Sequence, residues 1–323
     1  MSNPSSVATP VRTWMRTLRS WVDSATPAAV KGDPDAVDGL RLIPFFAIHL
    51  LCLMVFAVGV STIAVVVAGL AYAVRMFAIT AFYHRYFAHR AFRTSRWMQF
   101  CFAFLGNTAG QRGPLWWAAH HRKHHRHSDT DRDVHSPHHG GAMRSHLLWF
   151  ATTRNYASDH EQIRDFARFA ELRFLDRFDI LAPGLFAAGM WGLGAALERW
   201  APGLGTDGPQ MFVWGFAIST VVLFHGTSTI NSLGHLLGRR RYPTPDTSRN
   251  NWFLALITFG EGWHNNHHFY PVSARQGFFW WEIDLTWYCL WILSRLGLVW
   301  DLLPVPAHVR RGERVPPRER RSA

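Results

Sequence analysis

Residues 116–129 read WWAAHHRKHHRHSD and place five histidines between His120 and His127. The stretch contains neither proline nor glycine, so we expect a helix. Residues three and four positions apart share one face of a helix. Two sets of histidines would then converge: His121, His124 and His125, or His120, His124 and His127. Neutral imidazole is a good ligand for first-row transition metals, so the stretch predicts a metal-binding helix, although taken alone it also fits a solvated histidine-rich helix.

Long apolar runs lie on both sides of this stretch. Residues 42–83 are almost uniformly apolar and are about twice the roughly 20 residues that cross a bilayer. They predict a hairpin of two spans that turns near residues 59–62. Two further apolar runs, 180–197 and 211–237, predict a third and a fourth span.

The basic residues indicate an orientation. Lysine and arginine are frequent before residue 42, within residues 84–179 and near the C-terminus, whereas the loops near residue 60 and at 198–210 have almost none. The positive-inside rule then places both termini and the histidine-rich segments in the cytoplasm. The predicted fold is an all-α integral membrane protein with four transmembrane helices and a cytoplasmic helical cap that holds a dinuclear metal site.

This pattern divides the chain into three segments. Residues 1–41 are expected to be a basic N-terminal segment, amphipathic or disordered, and residues 42–303 the membrane domain. Residues 304–323 are expected to be a basic, disordered tail, preceded at 276–300 by an amphipathic interfacial helix.

Composition restricts the partners. The net charge is +12, which suits membrane lipid headgroups or an anionic ligand. No nucleic-acid-binding module is recognisable, so nucleic acid is not an expected partner. The three cysteines are isolated in apolar surroundings and predict neither a disulfide framework nor an iron–sulfur cluster.

Histidines recur in three further elements at the predicted cytoplasmic ends of spans or on cytoplasmic helices. These elements are His84 with His89, Asn231 with His235, and His264 with His267 and His268. The last element repeats the spacing of His121, His124 and His125, which favours that triad over the one containing His120 and His127. Together the four elements offer nine imidazoles, enough for two metal ions.

This motif set resembles that of the membrane fatty acid desaturases, in particular the branch of acyl-CoA and stearoyl-CoA desaturases. The matching motifs are His-x(4)-His at His84, His-x-x-His-His at His121, Asn-Ser-x-x-His at Asn231 and Gly-Glu-Gly-x-His-Asn-x-His-His at Gly260. The resemblance extends from about residue 42 to residue 301. It departs from the family pattern at Val134, where proline is usual, and at residues 140–143, which lack the usual aromatic residues.

The resemblance implies a non-haem diiron enzyme that uses O₂ and two electrons to desaturate a saturated fatty acyl chain. Acyl-CoA is the implied substrate, with acyl-lipid as the alternative, and delta-9 is a candidate position. Asn231 would hold a water molecule near one iron. The implied iron ligands are His84, His89, His121, His124, His125, His235, His264, His267 and His268. Imidazole would equally suit zinc, copper or nickel, so the choice of iron rests on the resemblance.

Other residues are candidates for supporting roles. Carboxylates near the motifs should accept hydrogen bonds from ligand histidines: Asp129, Asp131, Asp133 and Glu261. Aromatic residues that would line an acyl tunnel are Trp116, Trp117, Trp149 and Trp263. Basic residues that would contact CoA phosphates or lipid headgroups are Arg112, Arg122, Lys123 and Arg239.

The sequence has no motif of a fused electron-transfer domain, so a separate donor is expected. That donor would be a ferredoxin-like or cytochrome-type protein with an NAD(P)H reductase. Two alternatives stay open from the residues. One is a related histidine-rich diiron hydroxylase, and the other is a membrane metal-binding or metal-transport protein.

Overall fold

The computed structural model describes residues 15, 18–25 and 33–313. Much of the predicted N-terminal segment, namely residues 1–14, 16–17 and 26–32, therefore lies outside the described residues. The described chain is mostly helical. Two short strands, Arg93–Thr94 and Val299–Trp300, pair antiparallel, with Arg93 opposite Trp300.

The helices follow one another in this order. The α-helices are Ile43–Leu51, Val55–Val58, Thr62–Phe77, Arg96–Asn107, Pro114–His127, Pro137–Met143, Thr153–Tyr156, Arg164–Ala167, Ala170–Arg177, Leu181–Trp200, Gly208–Met211, Ser219–Ser232, Trp252–Ile257, His264–Phe269, Leu285–Arg295 and Ala307–Arg310. The π-helical segments are Ala78–Ala88, Arg144–Leu148 and Phe212–Ile218. The 3₁₀ turns are Cys52–Met54, Trp149–Ala151, Pro202–Leu204 and Leu233–His235.

Two continuous helices among the described residues are long and apolar enough to cross a membrane, Thr62–Ala88 and Gly208–Leu236. A third candidate is formed by Ala170–Arg177 and Leu181–Trp200, which are bent by 72° relative to each other. The apolar helix Ile43–Val58 is shorter. The structure thus has two to three helices of membrane length, and four spans remain a prediction.

The predicted turn between the first two apolar helices lies at residues 59–61. Gly59 ends the first helix with a φ of 68°, a left-handed conformation that glycine adopts without steric cost. Ser61 begins the next helix because its Oγ accepts a hydrogen bond from the Ala64 main-chain N–H at 3.2 Å. The local chemistry of these two residues therefore produces the helical hairpin.

The chain divides into two compact units. The first comprises the described residues up to residue 75, together with residues 103–120 and 147–225. Within it Arg75 is buried and donates hydrogen bonds to the hydroxyls of Ser219 at 2.5 Å and Thr220 at 2.7 Å. This guanidinium therefore faces polar partners inside its unit, as intramembrane charges are expected to do.

The second unit comprises residues 76–102 and 121–146 and the described residues from 226 to 313. One of its apolar clusters contains residues from four separate segments: Tyr242, Phe269, Phe278, Val305 and Val309. Within the segment predicted to be a basic, disordered tail, the structure has the short helix Ala307–Arg310, and Val305 and Val309 are buried. Residues 314–323 lie outside the described residues.

The predicted helix at 276–300 is shorter than expected and spans Leu285–Arg295. Glu282 and Asp284 precede it and are fully buried. Asp284 caps the helix by accepting a hydrogen bond from the Trp287 N–H at 2.9 Å. The two acids therefore do not lie on the helix, and both accept hydrogen bonds inside the protein, Glu282 from Asn266 at 2.9 Å and Asp284 from the Gln276 main-chain N–H at 2.7 Å.

Candidate metal centre

The first pair of histidines depends on a π-helical turn. His84 lies in the π-helix Ala78–Ala88, and the His89 N–H donates to the His84 carbonyl at 3.2 Å. Residues five apart point in different directions on an α-helix, but the wider i→i+5 turn brings them to one side. The ring centroids of His84 and His89 are consequently 4.9 Å apart.

The second element is the α-helix Pro114–His127. Three of its rings belong to the two histidine clusters described below: His121, His124 and His125. The centroids of His121 and His125 are 4.6 Å apart. His120 instead contacts a main-chain carbonyl of its own helix through Nδ1 at 2.9 Å. His120 and His127 belong to neither cluster.

The remaining ligand candidates come from His264–Phe269 and from the 3₁₀ turn Leu233–His235. The main chain before His264 is closely packed. A Cβ at Gly262 would lie 2.0 Å from the Ala255 nitrogen, and Gly260 has a φ of 120°. Glycine is therefore required on both sides of Glu261, which explains the Gly-Glu-Gly sequence.

Nine imidazoles form two clusters, each with its ligand atoms within 4.8 Å of one another. The five-histidine cluster consists of His84, His89, His121, His125 and His267. The four-histidine cluster consists of His124, His235, His264 and His268. These are the nine histidines that the motif spacing singles out. For Asn231, the structure gives a contact of its main-chain carbonyl, which accepts from Ser145 Oγ at 2.9 Å.

The distances between nitrogens fit metal coordination. At metal–nitrogen distances of about 2.0–2.1 Å, two ligands at right angles are about 2.9 Å apart, and two tetrahedral ligands about 3.4 Å. In the five-histidine cluster, His267 Nε2 lies 2.8 Å from His125 Nε2 and 3.0 Å from His84 Nε2. In the four-histidine cluster, Nε2 of His264 lies 3.0 Å from Nε2 of His235. The nitrogen spacing in each cluster is therefore compatible with one metal ion.

Carboxylates lie behind four of the nine rings. Each accepts a hydrogen bond from Nδ1, which leaves the Nε2 lone pair directed into the cluster. The pairs are His84 with Glu261, His124 with Asp133 at 2.9 Å, His235 with Asp129 at 3.0 Å, and His268 with Asp246 at 2.9 Å. The roles predicted for Glu261, Asp133 and Asp129 are confirmed. Asp131 is exposed, and no such bond to it is found among the described residues.

Asp246 was not predicted, and neither were the groups around Glu261. Asp246 lies in a proline-containing loop, where no sequence pattern connects it with His268. Arg85 binds Glu261 at 3.1 Å and also Asp284 at 2.9 Å. Gln276 Nε2 donates to Glu261 Oε2 at 3.0 Å. These polar groups form a buried network that holds the Glu261 carboxylate in place.

The ionisation states of the groups in the two clusters favour the binding of a metal cation. Burial and the neighbouring imidazoles hold the pKa of six ring groups well below the usual value: His89, His121, His125, His264, His267 and His268. Burial also acts to lower the pKa of His124, but the Asp133 carboxylate outweighs it and raises that pKa. Burial alone would raise the pKa of Asp129, yet its hydrogen bond with His235 holds that pKa below the usual range. Neutral imidazoles and ionised carboxylates are the forms that bind metal ions.

The tryptophans predicted to line an acyl tunnel lie in different environments. Trp116 is buried and donates from Nε1 to the Asn155 carbonyl at 2.8 Å, and its ring stacks on Trp149 at a centroid distance of 5.3 Å. Trp117 is partly buried. Trp263, directly before His264, donates to the Ile283 carbonyl at 2.8 Å. A role of these rings in lining an acyl tunnel stays a prediction.

The basic residues predicted to contact the substrate headgroup also lie in different environments. Arg112 forms an ion pair with Asp179 at 2.7 Å, and Arg122 donates to two main-chain carbonyls at 2.6 and 2.9 Å. Lys123 is partly buried and Arg239 is exposed. The first two guanidiniums thus have structural partners already, and phosphate binding by the four residues stays a prediction.

Comparisons with known proteins agree with this site. The family model for fatty acid desaturases matches residues 61–300. The delta-9 acyl-lipid desaturase 1 of Arabidopsis thaliana is 38% identical over 84% of this chain and 87% of that protein. The acyl-CoA 5-desaturase of Anemone leveillei is 38% identical over 73% of this chain and 70% of that protein. The sn-2 palmitoyl-lipid 9-desaturase of Nostoc is 37% identical over 69% of this chain and 75% of that protein.

The residues that match the family model include all four histidine motifs. This match makes the metal-transport alternative unnecessary, since the same residues are explained by an oxidoreductase site. With its apolar helices, its histidine clusters and these relatives, the chain belongs to the fatty acid desaturase family and is a membrane enzyme that desaturates fatty acyl chains.

Proposed function

We propose that this desaturase works with two iron ions, one in each histidine cluster, and removes two hydrogens from a saturated acyl chain with O₂ and two electrons. The observation that carries the proposal is the arrangement of nine imidazoles in two adjacent groups with metal-like nitrogen spacing. Iron bound there would supply the O₂ activation that no amino-acid side chain provides. The family membership supports iron over zinc, copper or nickel.

The residues of the chain have three tasks in this proposal. The nine Nε2 atoms would hold the ions, and the four carboxylates would fix the ring orientations and tautomers. Asn231 would position a water molecule beside one ion. Burial of the clusters limits the access of bulk water, which protects a reactive site from side reactions.

The carrier of the acyl chain is either CoA or a membrane lipid. Delta-9 is the proposed position of the new double bond. The relatives include an acyl-CoA desaturase and acyl-lipid desaturases, and they differ in the position of the double bond. Adding a labelled saturated fatty acid to expressing cells distinguishes the carriers, since the double bond should appear first in acyl-CoA or first in the glycerolipids.

The proposed topology has four spans, with Ile43–Val58 and the bent pair ending at Trp200 as the additional two. Both termini and the histidine clusters would face the cytoplasm, as the distribution of basic residues favours. Reporter fusions after residues 60, 204 and 313 test this: the first two should report the outer side and the third the cytoplasm. Cytoplasmic signals from all three would exclude the four-span arrangement.

Electrons would come from a separate ferredoxin-like or cytochrome-type donor with its NAD(P)H reductase. The basic surface of the chain suits an acidic protein of this kind. Reconstitution should therefore give product only when donor, reductase and NAD(P)H are all present.

The decisive experiment is lipid profiling by mass spectrometry of a host that expresses the chain with a competent donor. The wild type should yield a new monounsaturated chain whose double-bond position is read by derivatisation. His264→Ala should yield none, because it removes a ligand from the four-histidine cluster. A wild type that gives no new unsaturated chain under these conditions would overturn the function, and a hydroxylated product would indicate the related hydroxylase.

A further inference from the structure

The two histidine clusters differ in the carboxylates behind them. In the four-histidine cluster, three of the four rings have an aspartate at Nδ1: His124 with Asp133, His235 with Asp129, and His268 with Asp246. In the five-histidine cluster, within the described part of the chain, Glu261 is the carboxylate that binds a ring, that of His84. The cluster with fewer imidazoles thus has more negative charge around it.

The three aspartates are held in their charged form. Their side chains are at most 8% exposed. Asp129 accepts hydrogen bonds from the main-chain N–H and the hydroxyl of Thr247, both at 2.7 Å. Asp246 accepts from the main-chain N–H of Ser248 at 3.0 Å. Donors of this kind stabilise ionised carboxylates.

Glu261 is in a different situation because its charge is shared. Arg85 NH2 lies 3.1 Å from Glu261 Oε1 and 2.9 Å from Asp284 Oδ1. The guanidinium therefore offsets part of the negative charge that Glu261 brings to the five-histidine cluster.

A carboxylate behind a ligand histidine makes the imidazole a stronger ligand and stabilises the bound cation, the more so in a buried site. The fifth imidazole of the other cluster adds a ligand but no charge. We infer that the four-histidine cluster binds its metal ion first and more tightly, and that Asp129, Asp133 and Asp246 are the positioning residues that create this order. The inference rests on the proposed binding of one metal ion by each cluster.

The test is a metal titration of the full-length protein in detergent after removal of metal with a chelator. Co²⁺ is added without oxygen, its visible absorption follows binding, and bound metal is counted by mass spectrometry. The wild type should bind two ions in two steps of different affinity. Asp246→Asn should weaken the first step by about 10–100-fold and leave the second nearly unchanged, because the amide can still accept from Ser248 but presents N–H groups to His268.

Three further variants complete the design. Asp129→Asn should weaken the same first binding step. It replaces Asp246→Asn in the test if that variant fails to fold. Glu261→Gln should weaken the second step instead. Asp131→Asn is the matched control, since this exposed aspartate lies in the same loop as Asp129 and Asp133 and should change neither step.

Two outcomes would overturn the inference: equal affinity of both ions in the wild type, or a Glu261→Gln variant that loses the first step while Asp246→Asn and Asp129→Asn keep it. Failure of the proposed function would look different, because a wild type without metal uptake in vitro or without desaturated lipid in the host removes the premise itself.

Discussion

At the scale of single residues, the chain places charges inside the protein where they hold the metal ligands. Arg85 is 1% exposed and binds both Glu261 and Asp284. Arg85→Met would leave two buried carboxylates without their cation, which typically costs about 3–5 kcal/mol. We therefore expect a clearly lower thermal midpoint of the Arg85→Met protein in detergent.

The matched control is Arg93→Met. Arg93 forms an ion pair with Asp301 at 3.4 Å, but its side chain is 76% exposed, and such surface pairs contribute about 0–1 kcal/mol. Its thermal midpoint and metal content should remain those of the wild type. Equal effects of the two substitutions would show that the buried network does not stabilise the site.

At the scale of elements, the loop before His264 depends on glycine. A Cβ at Gly262 would lie 2.0 Å from the Ala255 nitrogen and 2.5 Å from the Asn251 carbonyl oxygen. Because both contacts are with main-chain atoms, Gly262→Ala must displace the loop from the helix Trp252–Ile257. We expect a loss of folded, metal-containing protein, measured by size-exclusion chromatography and metal analysis.

Gly189→Ala is the control for this substitution. Gly189 lies in the helix Leu181–Trp200. Among the described residues, and apart from the backbone of its own helix, no heavy atom lies within 4 Å of an added Cβ. Alanine is favoured over glycine in a helix by about 0.5–1 kcal/mol, so this variant should be as stable as the wild type or slightly more stable. A Gly262→Ala protein that folds and retains metal equally well would contradict the steric argument.

At the scale of the whole molecule, the sequence predicts the histidines better than their surroundings. Spacings of three and four leave two possible triads on the helix Pro114–His127. The triad of His121, His124 and His125 could be singled out without coordinates only because the last histidine motif repeats its spacing. The π-helical turn that joins His84 to His89 could not, because i→i+5 bonding has no simple sequence pattern. Asp246 is distant from His268 in the chain, and only the folded loop brings its carboxylate to the ring.

The sequence also leaves features of the helices and of the C-terminal region unpredicted. Hydrophobicity identifies the apolar runs but does not give the 72° bend near Leu181. Likewise, Glu282 and Asp284 look like solvent-facing charges in the sequence. Their burial depends on partners such as Arg85, whose distance in sequence hides the ion pair.

The protein without metal should lose stability when the pH falls from about 8 to about 5. Six cluster histidines have a pKa well below the usual value in the folded state, whereas in the unfolded chain they take up protons near pH 6.5. The unfolded state then binds more protons below that pH, so acid favours unfolding. Each such proton contributes a slope of up to about 1.4 kcal/mol per pH unit.

The pKa of His124 is raised and has the opposite effect: its contribution to stability is present below pH 6.5 and lost as the pH rises through the raised value. The opposite effect of His124 alone cannot offset the effect of the six histidines whose pKa is lowered. The thermal midpoint of chelator-treated protein in detergent should therefore decrease steadily between pH 7 and pH 5, and bound metal should reduce this decrease, because ligated imidazoles are not free to take up protons. A midpoint that stays constant or rises on acidification would show that the clusters are already protonated in the folded, metal-free protein.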